Sequence, residues 1–207
     1  METDAQRPMS AGGNDPVGNE EEATMTRQVL FVQGGGEGTH DGWDNKLVAS
    51  LINALGPGYF VRYPRMPNEA APNYASWKAA LEAEFASLEP GAILVGHSIG
   101  GTILINVLAE GASPRSPRGL FLLAAPFIGP RGWSAEDFEP RSDLAAGLPP
   151  QMPVFVYHGS GDETAPVDHA DLYAEALPGA HIRRLTGRDH QLNNDLSEVA
   201  RDMRHLA

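Results

Sequence analysis

The chain has 207 residues, enough for one domain with a sizeable core and cramped for two. Hydrophobic residues at 42%, charged residues at 20% and a formal net charge of -12 describe an ordinary globular protein with a surface ill suited to nucleic acid. The lack of cysteine excludes disulfides, thiolate nucleophiles and cysteine metal sites, and no run approaches the roughly twenty apolar residues of a membrane span.

The first 26 residues carry six acids, one arginine and no hydrophobic period. Such a segment cannot bury enough surface to offset its ordering entropy, so residues 1–26 are expected to form a mobile acidic tail. A single domain is expected over residues 27–207. The polar start has no apolar signal region, which together with the missing cysteines points to a cytoplasmic location.

From residue 27 the apolar pattern keeps switching period. "RQVLFVQ" reads as a buried strand running into the loop Gly34-Gly35-Gly36. Trp43, Leu47, Leu51 and Leu55 recur at helical spacing until "GPG" stops them, and "YFVRYP" is a second strand. Tyr74, Trp77, Leu81, Phe85 and Leu88 mark a second amphipathic helix. The strand Ala92 to Gly96 leads into a helix beginning near Ile99. "GLFLLAAP" and "PVFVYHG" are the fourth and fifth strands, a helix around "HADLYAEAL" follows, and "AHIRRL" is the sixth strand. Leu192, Leu196, Val199, Met203 and Leu206 are expected to line one face of a final helix. Strand-helix alternation with continuously apolar strands predicts an α/β protein, a parallel sheet covered by helices on both faces. Ligands in such sheets sit at the carboxyl ends of the strands, so chemistry is sought in the loops there.

The loop after the third strand reads Gly96-His97-Ser98-Ile99-Gly100-Gly101 and fits G-x-S-x-G at a strand-to-helix junction. Glycines on either side of the serine suit a turn too sharp for larger side chains, and the helix N-terminus places partial positive charge beside a developing anion. The plainer alternative is a helix N-cap serine. Two nucleotide readings fail: no Lys-Ser/Thr follows the glycines, and the first glycine cluster lacks the last position of G-x-G-x-x-G.

A serine hydroxyl needs a base and an orienting acid. Asp162 lies in the glycine-rich turn after the fifth strand, and His190 lies on the loop after the sixth. The order Ser98, Asp162, His190 is the one an α/β-hydrolase arrangement demands. Glu163 and Asp168 read as solvated surface, His97 as packing under the serine turn, and His158 as a turn residue ending its strand. No histidine shows metal spacing, so neither a metal nor another cofactor is expected. For the oxyanion, the N–H of Ile99 and one from the first glycine loop are the expected donors, with Gly35 first and Gly36 next.

On the motifs "GHSIGG", "HGSGDETAP" and "GRDH", residues 27–207 resemble the α/β-hydrolase superfamily, and within it the small lid-poor serine hydrolases of the retinoblastoma-binding protein nine and YdeN-like group. The resemblance implies a three-layer α/β/α sandwich with about six parallel strands in the order 2-1-3-4-5-6. It implies a Ser98-His190-Asp162 triad and a carboxylesterase-like reaction on small esters. "VQGGGEGTHDGW" resembles the oxyanion loop of the family, with Gln33 in place of the usual histidine. Gly36 and His40 in that loop, and Phe127 and Trp133 after the fourth strand, are candidate substrate contacts. Residues 127–150 are too short for a cap domain. Phe127, Ile128, Trp133, Phe138 and Leu144 form either a low apolar wall over the serine or packing on the sheet. Amide or peptide hydrolysis is a variant of the same mechanism. A binding protein that keeps the fold with little turnover is the alternative of a different class.

Overall fold

Six apolar segments pair into one parallel sheet because each is flanked by helices that cover it. In the computed structural model, which describes Met1 and residues 26–137, 139, 141 and 143–206, the strands are β1 (Arg27–Val32), β2 (Tyr59–Arg62), β3 (Ile93–His97), β4 (Gly119–Leu123), β5 (Val154–Gly159) and β6 (His181–Leu185). Their order is β2-β1-β3-β4-β5-β6, every pair parallel, as the family resemblance implied. The helices are α1 (Asn45–Leu55), α2 (Tyr74–Ala86), α3 (Ser98–Ala109), the single turn α4 (Leu144–Gly147), α5 (His169–Ala176) and α6 (Ser197–Arg204). The expected tail, save Met1 and Thr26, and Phe138 of the expected wall lie outside the described residues.

Side chains alternate across a strand, so each strand feeds two cores. Leu30, Val32, Leu94, Leu120, Leu122 and Val156 pack under α2, α3 and α5 with Trp77, Leu81, Leu104 and Tyr173. Val29, Phe31, Ile93, Val95, Phe121 and Tyr157 pack under α1 and α6 with Leu47, Leu51, Val199 and Met203. Two cores around one sheet make the three-layer sandwich. Burying each Leu or Val contributes about 1.5–3 kcal/mol before entropy is counted. The edge strands show the reverse pattern: β6 exposes three of its five side chains.

Two helix boundaries differ from the sequence expectation. Residues Thr39–Asp44 wind as π-helix ahead of α1, and the wider turn rotates Trp43 off the apolar face, leaving it 57% exposed with Lys46 Nζ 5.5 Å from its ring centre. The last helix begins only at Ser197. Leu192 and Leu196 are buried as expected, but Leu192 sits in a tight turn where Leu192, Asn193 and Asn194 all take left-handed φ near 50°. That turn ends the His190 loop and re-aims the chain into α6.

Candidate active site

Ser98 stands at the carboxyl end of β3 with φ 51°, a strained value for a residue other than glycine. The strain is enforced by close backbone approach on both sides. A Cβ on Gly96 would lie 2.4 Å from Gly101 Cα, and one on Gly100 would lie 1.9 Å from the Gln33 carbonyl oxygen. Only glycine fits at either position, and together they lift the serine out of the strand line at the first turn of α3.

Around Ser98 three loops converge. His190 Nε2 lies 3.0 Å from Ser98 Oγ, and His190 Nδ1 lies 2.8 Å from Asp162 Oδ2. The other oxygen, Asp162 Oδ1, accepts the N–H groups of Thr164 and Ala165, each at 2.9 Å. Burial opposes the charge on Asp162, but hydrogen bonds from His158, His190 and the Ala165 amide outweigh it and hold the carboxyl far below the usual range. Glu163, its neighbour, is exposed. The three residues singled out in the sequence therefore form one hydrogen-bonded line with His190 in the middle.

The glycine loop after β1 lies against this group. Gly34 N–H donates to Asp44 Oδ2 at 2.7 Å and Gly36 N–H to the Glu69 carbonyl at 2.6 Å. Among the described residues no group accepts the Gly35 N–H. A Cβ on Gly35 would meet Ile99 Cγ2 at 2.9 Å, which puts this residue beside the start of α3. Ile99 N–H is one of the first-turn amides that no helix carbonyl can reach. Gly35 and Ile99 are thus uncommitted amides next to Ser98, whereas the Gly36 amide is occupied. Gln33, fully buried, accepts Met66 N–H at 3.0 Å and donates to Glu69 Oε2 at 2.5 Å, so it braces the loop from behind.

Residues 29–204 match the profile of the alpha/beta hydrolase family. The chain belongs to that family. No curated protein matches it. Among solved structures it superposes on the esterase domain of a Rhodothermus marinus protein (21% identity, TM-score 0.63, 88% of this chain and 86% of that one). It also superposes on the ydeN gene product of B. subtilis (17%, 0.66, 86% and 97%) and on Est1E of Butyrivibrio proteoclasticus (13%, 0.63, 88% and 87%). At such identities the likeness is one of fold.

The remaining candidates of this alpha/beta hydrolase are built into its loops. His40 stacks on Tyr63 at 4.1 Å, and its ring nitrogens face Asp41 Oδ1 at 2.7 Å and the Tyr63 carbonyl at 3.3 Å. Phe127 N–H donates to His169 Nδ1 at 2.7 Å, and the Phe127 ring meets Tyr173 edge-on. Burial, and then His158 nearby, keep His169 below the usual histidine range, which leaves that nitrogen free to accept. Trp133 is 41% exposed, edge-on to His169, in a closed turn where its N–H reaches the Phe127 carbonyl. Ile128 and Leu144 are buried. A cavity of about 710 Å³ lined by Leu108, Pro117, Leu148 and Met152 lies at the amino ends of β4 and β5, at the opposite end of the strands from Ser98.

Asp44 went unread in the sequence, and His158 was misplaced there. Asp44, fully buried, faces His97 Nδ1 at 2.9 Å and accepts from Gln191 Nε2 at 3.3 Å. Burial works against both charges, but each partner prevails: Asp44 raises His97, and His97 with the Gly34 amide lowers Asp44. His158 is not a turn residue but lies fully buried in β5, its Nε2 between the Ala165 carbonyl at 2.7 Å and Asp162 Oδ2 at 3.3 Å. The only signal for Asp44 was an acid three residues before Leu47, the first residue of an apolar helical face, which is ordinary in any sequence.

Proposed function

We propose that this protein is a serine hydrolase of small carboxylic esters, working through an acyl-enzyme and needing no cofactor. The observation that carries the reading is the unbroken line Asp162–His190–Ser98, with separations of 2.8 and 3.0 Å. Ser98 Oγ attacks the ester carbonyl while His190 Nε2 takes its proton. Asp162 holds the Nδ1–H tautomer of His190 and balances the imidazolium that forms. The oxyanion receives the N–H groups of Ile99 and Gly35, donors fixed before the reaction begins. His190 then protonates the departing alkoxide, and a water activated by the same histidine hydrolyses the acyl group from Ser98. Phe127 and Trp133 supply apolar cover on the acyl side.

A fluorophosphonate probe tests this without knowledge of the substrate, since it reacts with an activated serine. The expected result is stoichiometric labelling of the folded protein, lost in Ser98→Ala. No labelling of folded protein, or equal labelling of the variant, would overturn the reading in favour of a binding protein.

A further inference from the structure

Behind the Ser98–His190 contact lies a second pair of the same chemical types, Asp44 and His97, with side chains 0% and 1% exposed. Asp44 reaches three separate segments. Oδ2 receives Gly34 N–H from the glycine loop at 2.7 Å and His97 Nδ1 from the end of β3 at 2.9 Å. Oδ1 receives Gln191 Nε2 from the His190 loop at 3.3 Å. His97 continues the chain of contacts, its Nε2 facing the His190 carbonyl oxygen at 3.1 Å. Both ring nitrogens of His97 thus face groups that can only accept, a carboxylate on one side and a carbonyl on the other. Only the doubly protonated ring satisfies both. A buried ion pair is poor evidence for stability, because desolvation consumes most of its attraction. What this pair does fix is geometry: one carboxylate ties together the loop of Gly35, the residue before Ser98 and Gln191, and His97 carries the tie on to the backbone of His190.

We propose, resting on the serine-hydrolase reading above, that Asp44 is a positioning residue which, through His97, holds the Gly35 loop and the His190 loop in register with Ser98. Gly34 N–H is drawn to Asp44, so the neighbouring Gly35 amide is left as the oxyanion donor. The His190 carbonyl is pinned by His97, so the imidazole is set at its approach to Ser98 Oγ. Neither Asp44 nor His97 touches the reacting atoms in this scheme. Misplacement of reacting groups by about 1 Å lowers turnover on the order of 10²-fold, and that is the loss expected when the pair is broken.

The experiment compares ester hydrolysis by the full-length wild type, Asp44→Asn, His97→Gln, the double variant and Gln191→Ala. Expected for Asp44→Asn and for His97→Gln is a kcat lower by on the order of 10²-fold with KM within about threefold, because positioning acts on the transition state. The double variant is expected to lose no more than either single one, since both break the same link. A boronic acid, which mimics the tetrahedral intermediate, should weaken in parallel with kcat/KM, a change that mere loss of stability would not produce in the folded fraction. Gln191→Ala removes a half-buried strut and leaves the pair intact, so it folds and loses turnover only severalfold. Unchanged kcat in the folded variants, or additive losses in the double variant, overturns the proposal. Should neither pair variant fold, Gln191→Ala decides alone, and wild-type kcat there overturns it. A wild type with no turnover and no fluorophosphonate labelling overturns the serine-hydrolase reading itself, and the positioning role with it.

Discussion

His158 and Asp162 meet within β5 and its following turn: His158 Nε2 lies 3.3 Å from Asp162 Oδ2, the oxygen that also faces His190 Nδ1 at 2.8 Å. His190 therefore donates to Oδ2 and two amides donate to Oδ1 of one buried carboxylate, with His158 Nε2, shared with the Ala165 carbonyl, close beside Oδ2. A carboxylate so held cannot swing away when His190 becomes charged, which is what an orienting acid requires.

Asp162→Asn is accordingly expected to reduce kcat on the order of 10⁴-fold, the scale of the same change in a serine protease triad, because the amide no longer fixes the His190 tautomer. Glu163→Gln, one residue on and exposed, is expected to leave kcat within twofold, roughly the scatter of a surface substitution. Steady-state hydrolysis of p-nitrophenyl acetate by both variants checks the assignment, and the reverse ranking would move the acid to Glu163.

The same carboxylate makes stability depend on pH. Its folded pKa lies below the unfolded value of about 3.9, so its contribution is fully present above that pH and is lost as pH falls through the folded value. The wild-type Tm is expected to drop steeply below about pH 4. In Asp162→Asn the drop should be shallower, because one proton-linked group is gone. Thermal melts of both proteins from pH 7 to pH 3 measure it, and parallel curves would refute the linkage.

Backbone approach at the serine turn gives a prediction of opposite kind, one of sterics alone. Gly100→Ala would drive a Cβ to 1.9 Å from the Gln33 carbonyl oxygen, backbone that has no room to yield. Overpacking of this sort costs about 1–3 kcal/mol or more and displaces Ser98 from His190, so Tm and fluorophosphonate labelling should both fall. Gly58→Ala, where an added Cβ meets nothing within 4 Å, is the control and should change neither.

These glycines show why so much of the site was legible in the sequence. The turn and the proposed acid and base each sit in a short motif, set by backbone sterics at Gly96 and Gly100 and by strand ends at Asp162 and His190. The parallel sheet was legible through apolar runs that alternate with helical periods, whereas its strand order came only from the family resemblance. His97 is buried under the serine turn as expected, but Asp44 and its pairing with His97 were not legible, because that pairing arises only when residues 53 positions apart in the chain meet in the core. Trp43 misled for a different reason: its spacing is helical, but a π-turn consumes one extra residue and turns it outward. The final helix was read too long because the apolar spacing continues through a turn whose left-handed asparagines carry no hydrophobic signal.

The last prediction concerns the length of acyl chain the site can cover. Pro126 is anchored over the first turns of α3, its carbonyl accepting from Thr102 Oγ1 at 2.5 Å and from the Tyr173 hydroxyl at 3.2 Å. Thr102 lies one helical turn beyond Ser98, so the segment that follows Pro126 leaves from beside the nucleophile. It does not travel far. Trp133 N–H returns to the Phe127 carbonyl at 2.9 Å, and Gly129 N–H reaches the Trp133 carbonyl at 3.0 Å, which closes residues 127–133 into one small turn. Ile128 and Leu144, two of the apolar residues expected in a wall, are buried and so unavailable to a ligand, which leaves, among the described residues of that wall, Phe127 and the partly exposed Trp133. Each acyl methylene that finds such cover gains up to about 0.8 kcal/mol, and those beyond it stay in water and gain little. The kcat/KM of p-nitrophenyl esters is therefore expected to rise through short acyl chains and to stop rising by roughly the hexanoate, by the same burial argument. Trp133→Ala should bring the plateau to a shorter chain without altering the hydrolysis of acetate, since the acetyl group does not extend to the wall. Efficiency that climbs steadily to palmitate, or a plateau indifferent to Trp133→Ala, would show that the acyl chain leaves Ser98 by another route.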